Sequence, residues 1–264
     1  MKQRTIKKEV VIKGGGLNSG KVAIIRLVPS GPNTGISFLN SNGIISADLS
    51  CLGDDDSTTS LGLGNAKVKT VEHLLSCLYG LYIDNLKVEL LVGNEIPIGD
   101  GSAKIFYDAI SEVGIHEIED SIRVMLCITE PINIRGKNKS IKLTPSKNFI
   151  IDYLIDWHPA IKNQYTFRHT LDNYKEIAFA KTFAESSHIK NLQMKNRAKG
   201  VVVGENCIDI DSEIASNSTE FVKHKILDLL GDLSLLYGLH FQGKITAINA
   251  GHKLHHELVK RILP

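Results

Sequence analysis

Two short segments of this 264-residue chain carry residue types that could hold a metal ion. In His224-Lys225-Ile226-Leu227-Asp228, a histidine and a carboxylate four residues apart would share one face of a helix. Far upstream, Glu72 and His73 stand at the predicted start of an apolar helix. Three nitrogen and oxygen ligands with a spare carboxylate fit catalytic zinc, which needs three protein ligands, an open position and a base.

Neither segment is specific when taken alone. A solvated helix face with an i, i+4 pair explains the spacing of His224 and Asp228, and by itself this is the simpler reading. Adjacent helical residues point about 100° apart, so Glu72 and His73 cannot readily ligate one ion together. That geometry instead suits a ligand beside a base.

The C-terminal region offers further histidines. His252 follows Asn249-Ala250-Gly251 at a predicted junction of strand and helix, where loops commonly hold functional groups. His255 and His256 are expected to lie on an exposed polar face of the last helix. Asp232 lies eight residues after His224, so it would share the helix face of His224 and Asp228. Its carboxylate would be costly to bury without a partner.

Composition excludes several classes of protein. The hydrophobic content of 42% suits a compact globular chain, and 31 Lys and Arg against 29 Asp and Glu give no case for a nucleic-acid surface. Four scattered cysteines are expected to be reduced packing residues, so a metal must rely on histidines and carboxylates. No signal peptide and no membrane span of about 20 apolar residues is evident, so we expect a cytoplasmic protein without stable membrane insertion.

The order of elements indicates an α+β fold. The first half alternates strands with turns, includes an exposed loop at 53–60 whose aspartates bind no metal, and has a helix capped by Thr70 that ends at Gly80. After a charged link, a second set of strands and helices repeats that order, with helices expected at about 175–183 and 220–239. We therefore expect two similar β/α domains, 1–120 and 121–264, with Glu72 and His73 in the first and the remaining candidates in the second.

Taken together, these segments resemble the LpxC family, zinc-dependent UDP-3-O-acyl-N-acetylglucosamine deacetylases of lipid A biosynthesis. The resemblance spans nearly the whole chain, and its segments recur in the family order. They are Thr70-Val71-Glu72-His73-Leu74, Gly80 with Ile83-Asp84-Asn85, Glu95-Ile96-Pro97-Ile98, Asp100-Gly101-Ser102-Ala103, 221–228, Gly231-Asp232-Leu233 and Ala250-Gly251-His252.

The resemblance implies a role for each metal-site residue. One Zn²⁺ would be held by His73, His224 and Asp228, with Glu72 as the general base. His252 would be the general acid or a cationic stabiliser.

The same resemblance implies groups around the metal. Asp232 would orient the acid, and Thr182 would donate a hydroxyl to the oxyanion. Lys225 would contact the substrate diphosphate.

It also implies an architecture and a substrate. Helices would be sandwiched between two mainly antiparallel sheets, and an insert at about 183–203 would form the acyl passage, with Phe183, Ile189 and Leu192 contacting substrate. Val201, Val202 and Val203 would also line that passage. The expected reaction removes acetate from a UDP-3-O-(3-hydroxyacyl)-N-acetylglucosamine, and the expected state is a monomer.

Departures from the family pattern leave two alternatives open. Asn18 and Lys181 replace a usual histidine and arginine, and the stretch 198–219 is shorter than usual. The chain could therefore deacetylate another N-acetylated sugar nucleotide, or it could be a catalytically weak relative that binds nucleotide-sugar or lipid.

Overall fold

The computed structural model describes residues 1–54, 57–157, 161–170, 172–210 and 219–263. It confirms the α+β class, with strands forming two main sheets and a few helices packed between buried faces. The three small sheets have two strands each. Asp55 and Asp56 of the polar loop, and 211–218 of the shortened stretch, lie outside the described residues.

The first half of the chain is mostly strand, interrupted by two helices and a short 3-10 turn at Leu49–Cys51. Its elements are β1 (Arg4–Ile6), β2 (Val10–Gly15), β3 (Val22–Pro29), β4 (Ile36–Asn40), β5 (Gly43–Ser46), β6 (Leu61–Leu63), β7 (Ala66–Val68), α1 (Glu72–Gly80), β8 (Leu86–Val92), α2 (Lys104–Val113) and β9 (Ile115–Glu117).

The second half has longer strands and the longest helix. Its elements are β10 (Met125–Cys127), β11 (Ile132–Arg135), β12 (Ser140–Thr144), β13 (Phe149–Trp157), β14 (Ile161–Arg168), α3 (Lys175–Ala178), β15 (Phe183–Ala184), α4 (Ser186–Met194), β16 (Ile208–Asp209), α5 (Glu220–Leu233), β17 (His240–Ile248) and α6 (His252–Ile262).

The two main sheets are built on the same plan. The first runs β2-β3-β8-β4-β5, and the second runs β11-β12-β17-β13-β14 with β10 added beside β17. Neighbouring strands of both sheets are mostly antiparallel. The parallel pairs are β4 with β8 in the first sheet, and β13 with β17 and β10 with β17 in the second. One hydrophobic core takes buried side chains from both sheets.

Helices α1 and α5 pack against each other in this core. Every residue of α1 is buried, so its polar residues must find partners inside the protein. Gly231 permits the close approach of the two helices, because a Cβ there would lie 2.1 Å from the carbonyl oxygen of Glu72. The contact therefore sets the distance between the two segments singled out in the sequence.

Several local expectations are wrong. Thr70 does not cap α1: it has a positive φ of 58°, its hydroxyl donates to Glu95, and Val71 is the N-cap residue. The expected helices at 175–183 and 220–239 are shorter, ending at Ala178 and Leu233. The second half also contains α4 inside the expected insert, which patterning did not predict.

The four cysteines are free thiols, as expected, although one is not a packing residue: Cys127 is exposed while the other three are buried. Within the described ranges, none of the helices has the length and apolar character needed to cross a lipid bilayer. The boundary near residue 120 stays a prediction.

Candidate active site

The packing of α1 on α5 brings the candidate ligands together. His73 Nε2 lies 3.6 Å from Asp228 Oδ1, and His224 Nε2 lies 3.4 Å from the same oxygen. Donor atoms of these three residues all lie within 4.8 Å of one another. Tetrahedral ligands at zinc bond lengths of about 2.0–2.1 Å are separated by about 3.3 Å, so the cluster is close to the size that zinc requires.

The environment of His224 suits a neutral ligand. Its Nδ1 lies 2.9 Å from the carbonyl oxygen of Ala180, an arrangement in which Nδ1–H donates and Nε2 keeps its lone pair. Burial lowers the pKa of His224 to about 4. The imidazole is therefore neutral at neutral pH, which is the form that binds metals.

The environment of Asp228 favours the carboxylate. Burial would raise its pKa, but the charge of Lys225, together with His224 and a hydrogen bond to His73, holds the pKa of Asp228 well below its usual range. Lys225 Nζ lies 2.8 Å from Asp228 Oδ2 and 5.5 Å from the centre of the Phe183 ring. Lys225 thus stands at the edge of the ligand cluster.

Glu72 lies beside the ligands in the first turn of α1. Its side chain is buried, and burial raises the pKa of Glu72 above its usual value. The amide of Thr59 donates to Glu72 Oε2 at 3.0 Å, which leaves the other carboxylate oxygen available. A buried carboxylate with a raised pKa is suited to accept a proton.

His252 approaches the ligands from the first turn of α6. Its Nε2 is 4.0 Å from Asp228 Oδ2, while its Nδ1 is 2.8 Å from Asp232 Oδ2. Burial alone would lower the pKa of His252, but the carboxylate of Asp232 raises it to about 9. The ring is therefore cationic at neutral pH, and its Nε2–H lies on the side of the ligand cluster formed by His73, His224 and Asp228.

The expected exposure of His255 and His256 is wrong. Both are buried, with His255 Nδ1 at 2.8 Å from Asp232 Oδ2 and His256 Nε2 at 3.3 Å from Asp232 Oδ1. Possible metal-ligand atoms of Asp232, His252 and His255 also lie within 4.8 Å of one another. The 2.8 Å contacts are hydrogen-bond lengths, however, so we read this second group as a hydrogen-bonded network.

One cavity of about 220 Å³ contains nearly all the residues expected at the site. Clefts of 370 and 670 Å³ elsewhere are larger, so chemistry and not size identifies it. Asp232 lies behind His252, outside the lining. The lining includes Glu72, His73, Thr182, Phe183, Ile189, Leu192, His224, Lys225, Asp228 and His252.

The expected insert supplies the apolar end of this cavity. Ile189 on α4 packs with Ala198, Val201 and Cys207 in a separate small hydrophobic cluster, with Leu192 against it. Of the three valines expected to line a passage, only Val201 is buried, while Val202 and Val203 are exposed.

Two segments contribute to the site in a way that the sequence pattern did not predict. Thr58 and Thr59 were expected in an exposed loop, but both are buried. Leu17 and Asn18 also line the cavity, in a turn held by Glu95, whose carboxylate accepts from the amides of Asn18 and Ser19. A polar segment followed by an apolar strand carries no local signal of burial, so sequence patterning could not find these contacts.

Comparison with known proteins identifies the family of this chain. A family model described as LpxC, UDP-3-O-acyl N-acetylglycosamine deacetylase, matches residues 3–264. Curated UDP-3-O-acyl-N-acetylglucosamine deacetylases from an Anaeromyxobacter species and from Nautilia profundicola are each 38% identical, covering 99% and 100% of this chain and 88% and 92% of their own. The protein of that name from Helicobacter pylori is 38% identical over 100% of this chain and 92% of its own. The chain therefore belongs to the LpxC family.

Proposed function

We propose that this protein hydrolyses the N-acetyl group of a UDP-3-O-acyl-N-acetylglucosamine, releasing acetate in lipid A biosynthesis. The observation that carries the proposal is the convergence of His73, His224 and Asp228 beside Glu72 and His252 in one cavity. The family match over nearly the whole chain and the names of the relatives support the substrate class.

The donor set supports zinc as the metal. Two imidazole nitrogens and one carboxylate oxygen leave a fourth position open, as in catalytic zinc sites. When bound, zinc supplies Lewis acidity, which activates a water and polarises the acetamide carbonyl.

Glu72 and His252 divide the proton transfers. Glu72 accepts the proton of the attacking water, because its carboxylate is buried and its pKa is raised. His252 gives its proton to the departing sugar amine, because its Nε2 faces the cavity while Nδ1 is held by Asp232. The transfers leave free acetate and a free amine.

Other residues would bind the remaining parts of the substrate. Thr182 and Lys225 both line the cavity. The Thr182 hydroxyl would donate to the developing oxyanion, and Lys225 would offer positive charge to the diphosphate. Phe183, Ile189 and Leu192 would contact the acyl chain, since they lead from the ligand cluster into the small hydrophobic cluster of the insert.

The decisive experiment combines metal analysis with an acetate-release assay on the acylated substrate. We expect the wild type to contain one zinc and to release acetate, and Glu72→Gln to keep zinc while losing about 100-fold or more in turnover. Glu112→Gln, an exposed substitution on α2, is the matched control. Near-normal turnover by zinc-loaded Glu72→Gln would contradict the mechanism.

The same assay tests the substrate. Unacylated UDP-N-acetylglucosamine should be turned over far more slowly, because it leaves the apolar end of the cavity empty. Equal turnover of both substrates would favour a deacetylase of another sugar nucleotide.

A further inference from the structure

The carboxylate of Asp232 contacts three further polar side chains besides His252. Oδ2 lies 2.8 Å from Nδ1 of both His252 and His255. Oδ1 accepts from the Thr59 hydroxyl at 2.5 Å and lies 3.3 Å from His256 Nε2. An ionised carboxylate only accepts hydrogen bonds, so these four groups occupy its acceptor sites.

Thr59 differs from the other three donors because it also contacts α1. Its amide donates to Glu72 Oε2 at 3.0 Å, and its carbonyl oxygen accepts from the amide of Val71 at 3.0 Å. Its backbone is thereby fixed to the start of α1, while its hydroxyl reaches Asp232 on α5. A single residue spans the gap between the candidate base and the carboxylate behind the candidate acid.

The bridge is enclosed within the protein. Thr59 and Asp232 are both 0% exposed, and His256 is 7% exposed. Away from water, a hydrogen bond to a carboxylate is strong, and an oxygen that loses its donor cannot turn to solvent instead. Without the Thr59 hydroxyl, the carboxylate would be held in this orientation by fewer donors, and so would the ring of His252 that it contacts.

We propose that Thr59 is a positioning residue for the reaction, holding Glu72 and the Asp232–His252 pair in one geometry, with His256 completing the hold on Asp232. The inference rests on the proposed deacetylase function. His256 Nε2 lies 3.1 Å from the Thr59 hydroxyl as well as near Asp232, so it supports both members of the contact. Thr59 itself is 0% exposed and is not among the residues that line the cavity, so it lies behind the reacting groups.

The hydroxyl can be removed without disturbing the backbone contacts. Thr59→Val keeps the branched shape and both main-chain hydrogen bonds but loses the donor to Asp232. We expect kcat to fall about 10- to 100-fold, the value of one hydrogen bond to a charged group. KM and zinc content should change by less than about threefold, because the ligands and the cavity lining stay in place. Thr59→Ser, which keeps the hydroxyl, should recover most of kcat.

A double substitution separates positioning from general loss of structure. If Thr59 acts through Asp232, adding Thr59→Val to Asp232→Asn should lower kcat by less than about threefold further. Thr5→Val is the matched control: Thr5 is also buried, and its hydroxyl oxygen accepts from the amide of Ser30, far from the site. That variant should lose stability and keep kcat.

His256 provides a second test if Thr59→Val does not fold. His256→Gln retains a nitrogen donor and should keep kcat within about threefold, whereas His256→Leu removes it and should lose about 3- to 10-fold. Equal kcat in these two variants would contradict the inference.

The results distinguish a failure of the proposed function from a failure of the positioning role of Thr59. A wild type that binds zinc but releases no acetate overturns the proposed function and this inference with it. An active wild type with an equally active Thr59→Val overturns only the inference, as does a loss of kcat that is equally large in the Asp232→Asn background.

Discussion

Single residues at this site have the charge states that a metal needs before any metal arrives. His224 is neutral because burial lowers its pKa, and Asp228 is ionised because neighbouring positive charge lowers its pKa. Lys225 partly neutralises that carboxylate through a 2.8 Å contact. At His224 and Asp228, an entering cation would therefore meet a neutral nitrogen and an anionic oxygen without first displacing a proton.

Removing the shared carboxylate should empty the site. We expect Asp228→Asn to weaken zinc binding by at least about 100-fold, because loss of a ligand costs more than loss of an outer partner. Competition with a chelator of known affinity measures the change. Asp108→Asn, on the exposed side of α2, should bind zinc as the wild type does. Unchanged affinity in Asp228→Asn would remove Asp228 from the ligand set.

At the scale of elements, the site depends on how closely α1 and α5 pack. The two helices carry all three candidate ligands and the base, so their separation sets every distance in the cluster. Gly231 is the residue of α5 that meets the backbone of Glu72. Helix propensity would favour alanine here by about 1 kcal/mol, whereas the close contact opposes it.

We expect the contact to outweigh propensity. Gly231→Ala should lower the free energy of unfolding by about 1–3 kcal/mol and weaken zinc binding, because a methyl group pushes the helices apart. Urea unfolding measures the first effect and chelator competition the second. Gly31→Ala, where a Cβ would meet nothing within 4 Å, should stay within about 0.5 kcal/mol of the wild type. A stabilised Gly231→Ala would show that the helices can separate freely.

At the scale of the whole molecule, an aromatic stack joins the two halves of the chain. Tyr82 stacks on His240 at 4.4 Å and on His169 at 4.7 Å between ring centres, and Arg123 lies over its ring. His169 Nε2 lies 3.1 Å from the carbonyl oxygen of Gly80, at the end of α1. Two buried histidines thus sit where the first-half helix meets the second-half sheet.

These histidines should make the fold sensitive to acid. Burial lowers the pKa of His169 to about 4 from its ordinary 6.5, and it lowers the pKa of His240 as well. Between pH 4 and pH 6.5, His169 is protonated in the unfolded chain and neutral in the folded one. The free energy of unfolding is therefore highest above about pH 6.5 and decreases as the pH falls towards 4. For His169 the loss from pH 7 to 5 is about 2 kcal/mol.

Urea unfolding at pH 7 and pH 5 tests this expectation. His169→Gln, which keeps a donor for Gly80 but does not titrate, should show the smaller loss of stability on acidification. His116→Gln, on the exposed strand β9, should behave as the wild type. Equal pH dependence in wild type and His169→Gln would contradict the lowered pKa of His169, because it would mean that this pKa is the same in the folded and unfolded chain.

The α+β class and the local spacing of the site residues can be predicted from the amino-acid sequence. A histidine and an aspartate four residues apart must share a helix face, and an acid beside a histidine must point elsewhere, because helical geometry is local. Order along the chain, compared with a family, then suggested the roles that we propose for Glu72, His252 and Asp232.

The surroundings of those residues depend on long-range packing and become visible in the folded protein. Thr59 and Asp232 are 173 positions apart, and His255 and His256 form an ordinary polar pattern on a terminal helix. Whether such side chains meet water or a carboxylate depends on what packs against them, which periodicity does not record. The same reason explains Gly231, whose purpose is visible only once α1 lies across it.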